Sequence, residues 1–129
     1  MCFSGKYTLA EMKLKIKGRG GLVAYTGTSD CVALEKYILT GEVMPDSGLD
    51  PSKISREKAK EAVLAMAYQI SKEIAAMAAV LEGRVDAIAL TGGLAYDQIA
   101  LPEIKRRVGW IAPVLCYPGG DEMSALRVA

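Results

Sequence analysis

The turn Thr91-Gly92-Gly93 is the segment whose residue types best suit ligand binding. It follows the apolar run of residues 85–90, which predicts a strand, and ligands of parallel α/β folds bind beyond the carboxyl ends of strands. Two adjacent glycines have no side chains, so a planar base, a ribose or a phosphate could approach the backbone closely. A helix beginning at Leu94 or Ala95 would add free N–H groups that favour an anion. A tight turn with positive φ explains the same glycines without a ligand, and the residues alone favour this structural interpretation.

A second cluster, Thr26-Gly27-Thr28-Ser29-Asp30, combines hydroxyl groups and a carboxylate in one turn. Asp30 could accept hydrogen bonds from a ribose or help to hold a solvated Mg²⁺. Ser29 or Asp30 could equally cap the helix that follows, and capping is the simpler account of these residues. The chain contains no histidine, and no nucleophile–base pair can be assembled from its residues. We therefore assign no catalytic residue.

Composition excludes several classes of protein. With 129 residues, of which 51% are hydrophobic and 24% charged, residues 1–129 predict a single globular domain. The net charge of +1 gives no electrostatic reason to expect nucleic acid or a membrane as a partner. No Gly-x-x-x-x-Gly-Lys-Ser/Thr phosphate loop is present, which argues against a P-loop NTPase. Cys2, Cys31 and Cys116 lack metal-type spacing, so we expect reduced thiols of a cytoplasmic protein and no metal site.

The clearest predicted element is a long helix over residues 56–82. Its apolar side chains recur at steps of three and four residues and predict one core-facing stripe, formed by Val63, Met66, Ile70, Ile74, Met77 and Leu81. Ser55 suits the N-cap of this helix, and Gly83 suits the left-handed position just past its end. Residues 41–53 hold two prolines and two glycines and predict an exposed, mobile loop.

The rest of the chain alternates between helix and strand patterns. Residues 1–18 contain a short helical pattern, and a second helix follows the turn at Asp30 and stops near Gly41. Residues 102–108 predict a helix, residues 111–117 a second strand, and residues 122–129 a last helix capped by Asp121. This alternation is typical of an α/β fold whose helices pack on a mostly parallel sheet.

Blocks of sequence along nearly the whole chain resemble butyrate kinases, in the order in which that family carries them. The blocks are Met1-Cys-Phe-Ser-Gly-Lys-Tyr-Thr8, Gly20-Gly-Leu-Val-Ala-Tyr25, Ala65-Met-Ala-Tyr-Gln-Ile70, Val85-Asp-Ala-Ile88, Thr91-Gly-Gly93, and Ile111-Ala-Pro-Val114 with Tyr117-Pro-Gly119 and Asp121-Glu-Met123. Butyrate kinases are similar to acetate kinases and belong to the superfamily of acetate and sugar kinases, heat-shock ATPases and actin. The resemblance implies an incomplete ribonuclease-H-like C-terminal domain of the actin-like ATPase fold. The family reaction converts ATP and butanoate to ADP and butanoyl phosphate, with Mg²⁺.

The resemblance changes the interpretation of both turns. A hydrophobic strand followed by two glycines is the superfamily's adenosine motif, which makes Gly92 and Gly93 implied nucleotide contacts. In acetate kinases the contacts continue over the next residues, which here are Leu94, Ala95 and Tyr96. Asp30 matches the acid of a second family contact, an Asp-x-Arg segment at a helix start. Val32 stands in place of the arginine, and this departure weakens the nucleotide contact implied at Asp30.

The resemblance also implies that much of the enzyme lies outside this chain. The family's phosphate motifs, acyl pocket and catalytic residues precede the block that opens the chain, and the ligands of Mg²⁺ are not in this sequence. We therefore expect ATP or ADP to bind through base and ribose, and the isolated chain to be catalytically inactive. The missing N-terminal part is an expected partner, and the apolar surface left without it predicts a homo-oligomer. The alternative is a non-enzymatic binding or self-assembly module derived from the kinase fold.

Overall fold

A computed structural model describes residues 5–119 of the chain as an α/β fold. Its elements are, in chain order, α1 (Leu9–Ile16), α2 (Leu22–Thr26), α3 (Cys31–Thr40), α4 (Arg56–Val80), β1 (Ile88–Gly92), a 3-10 turn (Gly93–Ala95), α5 (Ala100–Val108) and β2 (Val114–Pro118). β1 and β2 pair in parallel, which confirms the predicted small parallel sheet with helices packed on it. The helix predicted over residues 122–129, its cap Asp121, and Cys2 lie outside the described residues.

Polar side chains begin the two central helices at the positions that the sequence predicts. The Asp30 carboxylate accepts a hydrogen bond from the Ala33 N–H at 3.0 Å and starts α3. The Ser55 hydroxyl accepts from the Lys58 N–H at 3.3 Å and starts α4. Gly41 ends α3 at a φ of 82°, a left-handed conformation that glycine adopts without strain.

The core lies between one face of the sheet and helices α3, α4 and α5. Its largest fully buried side chains are Leu34, Val63, Ile104 and Val108. On β1, Ile88 and Leu90 are buried while Ala89 is exposed. Strand side chains alternate between faces, so helices cover one face of the sheet and the described residues leave the other face bare.

The core-facing stripe of α4 departs from the prediction at its C-terminal end. The fully buried positions are Ala59, Val63, Ala67 and Ser71, and three predicted positions, Met66, Ile70 and Ile74, are half-buried. Met77 and Leu81 are 54% and 50% exposed, so placing them in the core was wrong. α4 has 25 residues and α5 has 9. At about 1.5 Å per residue, the longer helix extends well past the helix that covers it.

Both strands begin three residues later than their sequence patterns predict. Pro113 has no N–H to donate to a strand partner, so the ladder on β2 begins at Val114. The Pro113 carbonyl accepts a hydrogen bond from the Ile88 N–H at 2.9 Å, so β1 begins at Ile88, opposite the start of β2. β1 continues to Gly92, which pairs with Pro118. Two predicted turn residues, Thr91 and Gly92, therefore belong to the strand.

The loop between α3 and α4 contains no helix or strand, as predicted, but buried groups anchor it. Leu49 and Ile54 are 8% and 6% exposed. The Tyr37 hydroxyl of α3 donates to the Ile54 carbonyl at 2.8 Å. The Arg56 guanidinium donates to the Ile38 carbonyl at 2.6 Å, which ties the start of α4 to the end of α3. The mobility of this loop stays a prediction.

Among the described residues, α4 is the one helix long and apolar enough to cross a membrane by length and composition alone. Its most apolar window has a mean hydropathy of 1.3, and 22% of that window is buried. The helix carries Lys72 and Glu73 near its middle and packs against α2, α3 and α5. A core helix passes the same test, so these properties by themselves do not indicate a membrane.

The C-terminal end of α5 is fastened to α4 by charged and aromatic groups. Glu103 accepts hydrogen bonds from Arg106 and Arg107, and these guanidinium groups, Arg106 first, lower the pKa of the Glu103 carboxyl. The Arg107 guanidinium lies 4.7 Å from the ring centre of Tyr68 on α4. The Trp110 indole N–H donates to the Arg107 carbonyl at 2.8 Å, while the ring is 78% exposed.

Candidate functional site

The carboxyl end of β1 leads into a short loop that carries most of the predicted contacts. We call residues 91–98 the glycine loop. Gly93–Ala95 form a single 3-10 turn, and α-helix does not resume until Ala100. No α-helix begins at Leu94 or Ala95, so the condition for additional free N–H groups at this turn is not met. Three residues of 3-10 turn present no row of free N–H groups like that of an α-helix, so the glycine loop lacks this anion-binding feature.

The two glycines of the loop differ in what their backbones require. Gly92 has a φ of 68°, a conformation that strains any residue with a Cβ. The backbone conformation therefore accounts for this glycine without a ligand. Gly93 is not in the left-handed region, and a Cβ added there would meet no atom within 4 Å. Gly93 is also exposed. The backbone therefore explains the first glycine and leaves the second as open, side-chain-free surface.

The first turns of α3 lie against the C-terminal half of the glycine loop. The Glu35 carboxylate accepts from the Gln98 side-chain amide at 2.8 Å and from the Gln98 backbone N–H at 3.3 Å. Burial raises the pKa of the Cys31 thiol, and the carboxylates of Asp97 and Asp30 raise it further. Asp97 is thus close enough to Cys31 to disfavour its thiolate. The structure thus ties α3, the helix that Asp30 caps, to the last residue of the glycine loop.

Sequence reasoning missed Asp97, which holds the end of the glycine loop. Its carboxylate is 4% exposed and accepts from the N–H groups of Ile99 at 2.8 Å and Ala100 at 2.7 Å. These bonds set the start of α5, two residues before the predicted start at Pro102. The signal was present in the sequence: an aspartate precedes an apolar helical run by three residues, as a capping residue does.

The remaining predicted contacts differ in what they offer to a ligand. Ala95 is 7% exposed and Leu94 is half-buried, so Ala95 offers chiefly its backbone. Tyr96 is 62% exposed. Its hydroxyl lies beside Gly119, which directly follows β2: a Cβ placed on this glycine would be 3.6 Å from the hydroxyl oxygen. Asp30 is exposed, with Oδ1 engaged in capping α3. Val32, in the expected arginine position, is 67% exposed and offers no cation.

Within residues 5–119, no group of three or more aspartate, glutamate, histidine or cysteine side chains is placed to hold a metal ion. Three of the predicted contacts expose groups of another kind. Gly93 exposes its backbone, Tyr96 an aromatic ring and Asp30 a carboxylate, and groups of these types can contact an aromatic base or a hydroxyl.

Comparison with known proteins decides the family. The profile of the acetokinase family matches residues 5–104. The chain belongs to the acetokinase family. Its α/β arrangement, with helices on a small parallel sheet, agrees with the actin-like ATPase fold that the resemblance implies.

Two relatives in this family are similar along the whole chain. One, from Elusimicrobium minutum (strain Pei191), is named a probable butyrate kinase and is 55% identical over 130 residues, covering 100% of this chain and 34% of that protein. Another, probable butyrate kinase 2 of Caldanaerobacter subterraneus subsp. tengcongensis, is 54% identical over 127 residues, covering 98% of this chain and 32% of that protein. The chain spans about a third of the length of the curated relatives it matches. Both relatives are named as probable butyrate kinases.

Proposed function

We propose that this chain is the C-terminal, nucleotide-side part of a butyrate kinase and binds ATP or ADP at the glycine loop. In the complete protein it would serve the transfer of phosphate from ATP to butanoate, giving ADP and butanoyl phosphate. Two relatives named as probable butyrate kinases support this assignment. The chain's share of their length supports the proposal that the rest of the enzyme lies outside it.

The geometry at Gly93 carries the nucleotide-binding part of the proposal. Nothing in the backbone requires a glycine there, because its φ is not left-handed and a Cβ would enter open space. A ligand that lies flat against the backbone supplies the missing reason. The position also follows a parallel strand at its carboxyl end, where ligands of α/β folds bind.

The neighbouring residues fit base and ribose better than phosphate. The exposed Tyr96 ring offers an apolar face to a base. Asp30 keeps Oδ2 as a possible acceptor for a ribose hydroxyl, because the Ala33 N–H binds Oδ1. Val32 supplies no positive charge beside this carboxylate. We therefore expect weak binding of nucleotide, dominated by the nucleoside.

Catalysis by the isolated chain is not part of this proposal. Phosphoryl transfer depends on positioning the reactants and neutralising charge on the transferred group. Residues 5–119 bring together no group of three or more side chains that could hold a metal ion. A coupled assay on the purified chain should detect no butanoate-dependent formation of ADP. Such formation, above a butanoate-free control, would overturn the expected inactivity.

Calorimetric titration with ADP and with ATP tests nucleotide binding. We expect about millimolar affinity or tighter for the chain, lost in Gly93→Val because the new side chain occupies the ligand's place. Ala89→Val is the matched control, since it places the same side chain at an exposed position of β1 outside the loop. Equal nucleotide affinities in the chain and in Gly93→Val would show that the glycine loop is not the site.

Exposed apolar surface favours a second candidate, a non-enzymatic self-assembly module. Val80, Leu81 and Leu115 are 71%, 50% and 43% exposed, and apolar surface of this kind promotes association. A homo-oligomer is expected under both candidates. Absence of nucleotide binding together with a discrete oligomer in light scattering would favour the second candidate over the first.

We also propose a cytoplasmic location and no nucleic-acid partner. Cys31 and Cys116 are free thiols, as in proteins of a reducing compartment. The net charge of +1 offers no electrostatic attraction for a polyanion. Fractionation of cells that produce the chain would test the location.

A further inference from the structure

We infer that Glu35 is a positioning residue that fixes the glycine loop against α3 in the geometry that binds nucleotide. This inference rests on the proposed function. The loop is anchored at its first end by the pairing of β1 with β2, which extends to Gly92. Its other end is tied to α5 by Asp97. Neither anchor sets the distance between the loop and the first turn of α3.

Glu35 supplies that missing constraint. Its Oε1 accepts from the Gln98 side-chain amide at 2.8 Å and its Oε2 from the Gln98 backbone N–H at 3.3 Å. One carboxylate thus holds both the backbone and the side chain of a residue 63 positions away. Among residues 5–119, these two bonds are the hydrogen bonds that join α3 to the glycine loop.

The bonds of Glu35 also fix which side of α3 faces the loop. Cys31 and Glu35 are four residues apart and lie on one face of the helix. Glu35 binds Gln98, so this face is turned toward the end of the glycine loop. Asp30 caps the start of the same helix, and the tie at Glu35 therefore couples the position of Asp30 to that of the loop.

Hydrogen exchange followed by NMR tests the tie directly. In Glu35→Ala the Gln98 backbone N–H loses its acceptor, and we expect its exchange to become at least roughly tenfold faster. Glu35→Gln should retain protection, because its amide oxygen accepts from the Gln98 N–H and its amide nitrogen donates to a flipped Gln98 side chain. Glu42→Gln is the matched control: it weakens the exposed ion pair that Glu42, just past the end of α3, makes with Lys36 of that helix, away from the glycine loop. Unchanged exchange at Gln98 in Glu35→Ala would overturn the inference.

Calorimetry with ADP separates positioning from a general loss of stability. We expect about five- to tenfold weaker binding in Glu35→Ala, near-native affinity in Glu35→Gln, and no change in Glu42→Gln. Nucleotide affinity that survives Glu35→Ala would overturn the positioning role and leave the proposed function intact. Failure of the unaltered chain to bind ADP would overturn both. A loss of thermal stability shared by Glu35→Ala and Glu42→Gln, with no separate loss of affinity, would show a merely structural role.

Discussion

Gly92 and Gly93 are adjacent in the sequence, yet the chain constrains them differently. Gly92 ends β1 with a φ of 68° and a ψ of −156°, a backbone region used almost only by glycine, which costs a residue with a Cβ about 1 kcal/mol or more. Gly93 carries no such requirement. In this pair, the backbone conformation requires a glycine at position 92, whereas position 93 is open surface.

This difference predicts opposite effects of alanine at the two positions. Gly92→Ala should lower the free energy of unfolding by about 1–2 kcal/mol. Gly93→Ala should leave that energy unchanged or raise it by about 0.5 kcal/mol, because alanine restricts the unfolded chain without straining the folded one. Urea unfolding of both variants measures the two values. A comparable loss of stability in Gly93→Ala would contradict the open surface at this position.

Asp50, in the loop between α3 and α4, gives stability a defined dependence on pH. Hydrogen bonds from the Ser52 side chain, followed by those from Lys53 and the Ser52 N–H, lower the pKa of Asp50 from 3.8 to about 2. A pKa lowered by folding means that the carboxylate stabilises the fold fully above the unfolded value, near pH 4. This contribution is lost as pH falls through about 2.

Asp50→Asn should therefore be less stable than the unaltered chain at pH 7, with a difference that closes between about pH 4 and pH 2. Thermal unfolding followed across this range by circular dichroism checks the prediction. Glu61→Gln, an exposed change on α4, serves as the control for the general effect of removing one negative charge. A stability difference that persisted unchanged to pH 2 would contradict the assigned hydrogen bonds.

At the scale of the elements, α4 is longer than the helix that buries it. Ile104 of α5 is fully buried at 0% exposure, whereas Met77 near the end of α4 is 54% exposed. Removing a buried Ile side chain to Ala costs about 2–5 kcal/mol through lost burial and the cavity that remains. An exposed apolar side chain makes few contacts that truncation could remove.

Ile104→Ala should therefore lower the free energy of unfolding by about 2–5 kcal/mol, and Met77→Ala by no more than about 0.5 kcal/mol. Denaturant unfolding of the two single variants makes the comparison. A large loss in Met77→Ala would show that the end of α4 is covered in solution, for example by a second copy of the chain.

The sequence predicts the starts of the helices more accurately than the starts of the strands, for physical reasons. Helix starts at Asp30 and Ser55 depend on groups three residues away and follow from local sequence. Strand starts depend on a partner: Ile88 begins β1 because it pairs with Val114, and no local pattern contains that register. The tie between Glu35 and Gln98 joins residues 63 positions apart, so residue types alone do not reveal it.

At the scale of the whole molecule, one face of the sheet is left uncovered by residues 5–119. Ala89 and Leu115 pair across the strands on this face, as do Thr91 and Tyr117, and all four side chains are exposed. Parallel sheets in globular proteins are almost always covered on both faces. The chain spans about a third of its relatives' length, and proteins of that length have further segments with which to cover such a face.

The bare face predicts self-association of the isolated chain. Leu115→Glu should shift the molecule toward the monomer, because a carboxylate on this surface is costly to bury against a second copy. Light scattering at several protein concentrations measures the shift. Gln69→Glu adds the same charge to an exposed position of α4 and should leave association unchanged. Equal association in the two variants would place the contact elsewhere.

Trp110 at the end of α5 determines how folding of this chain can be observed. It is the single tryptophan of the sequence, and its indole is 78% exposed while its N–H binds the Arg107 carbonyl. The tryptophan fluorescence of the folded chain therefore comes from a ring already in water, and iodide should quench this emission without unfolding the chain. Emission will change little when the core opens. The helical circular dichroism signal, to which α4 contributes with its 25 residues, is the more sensitive probe of unfolding.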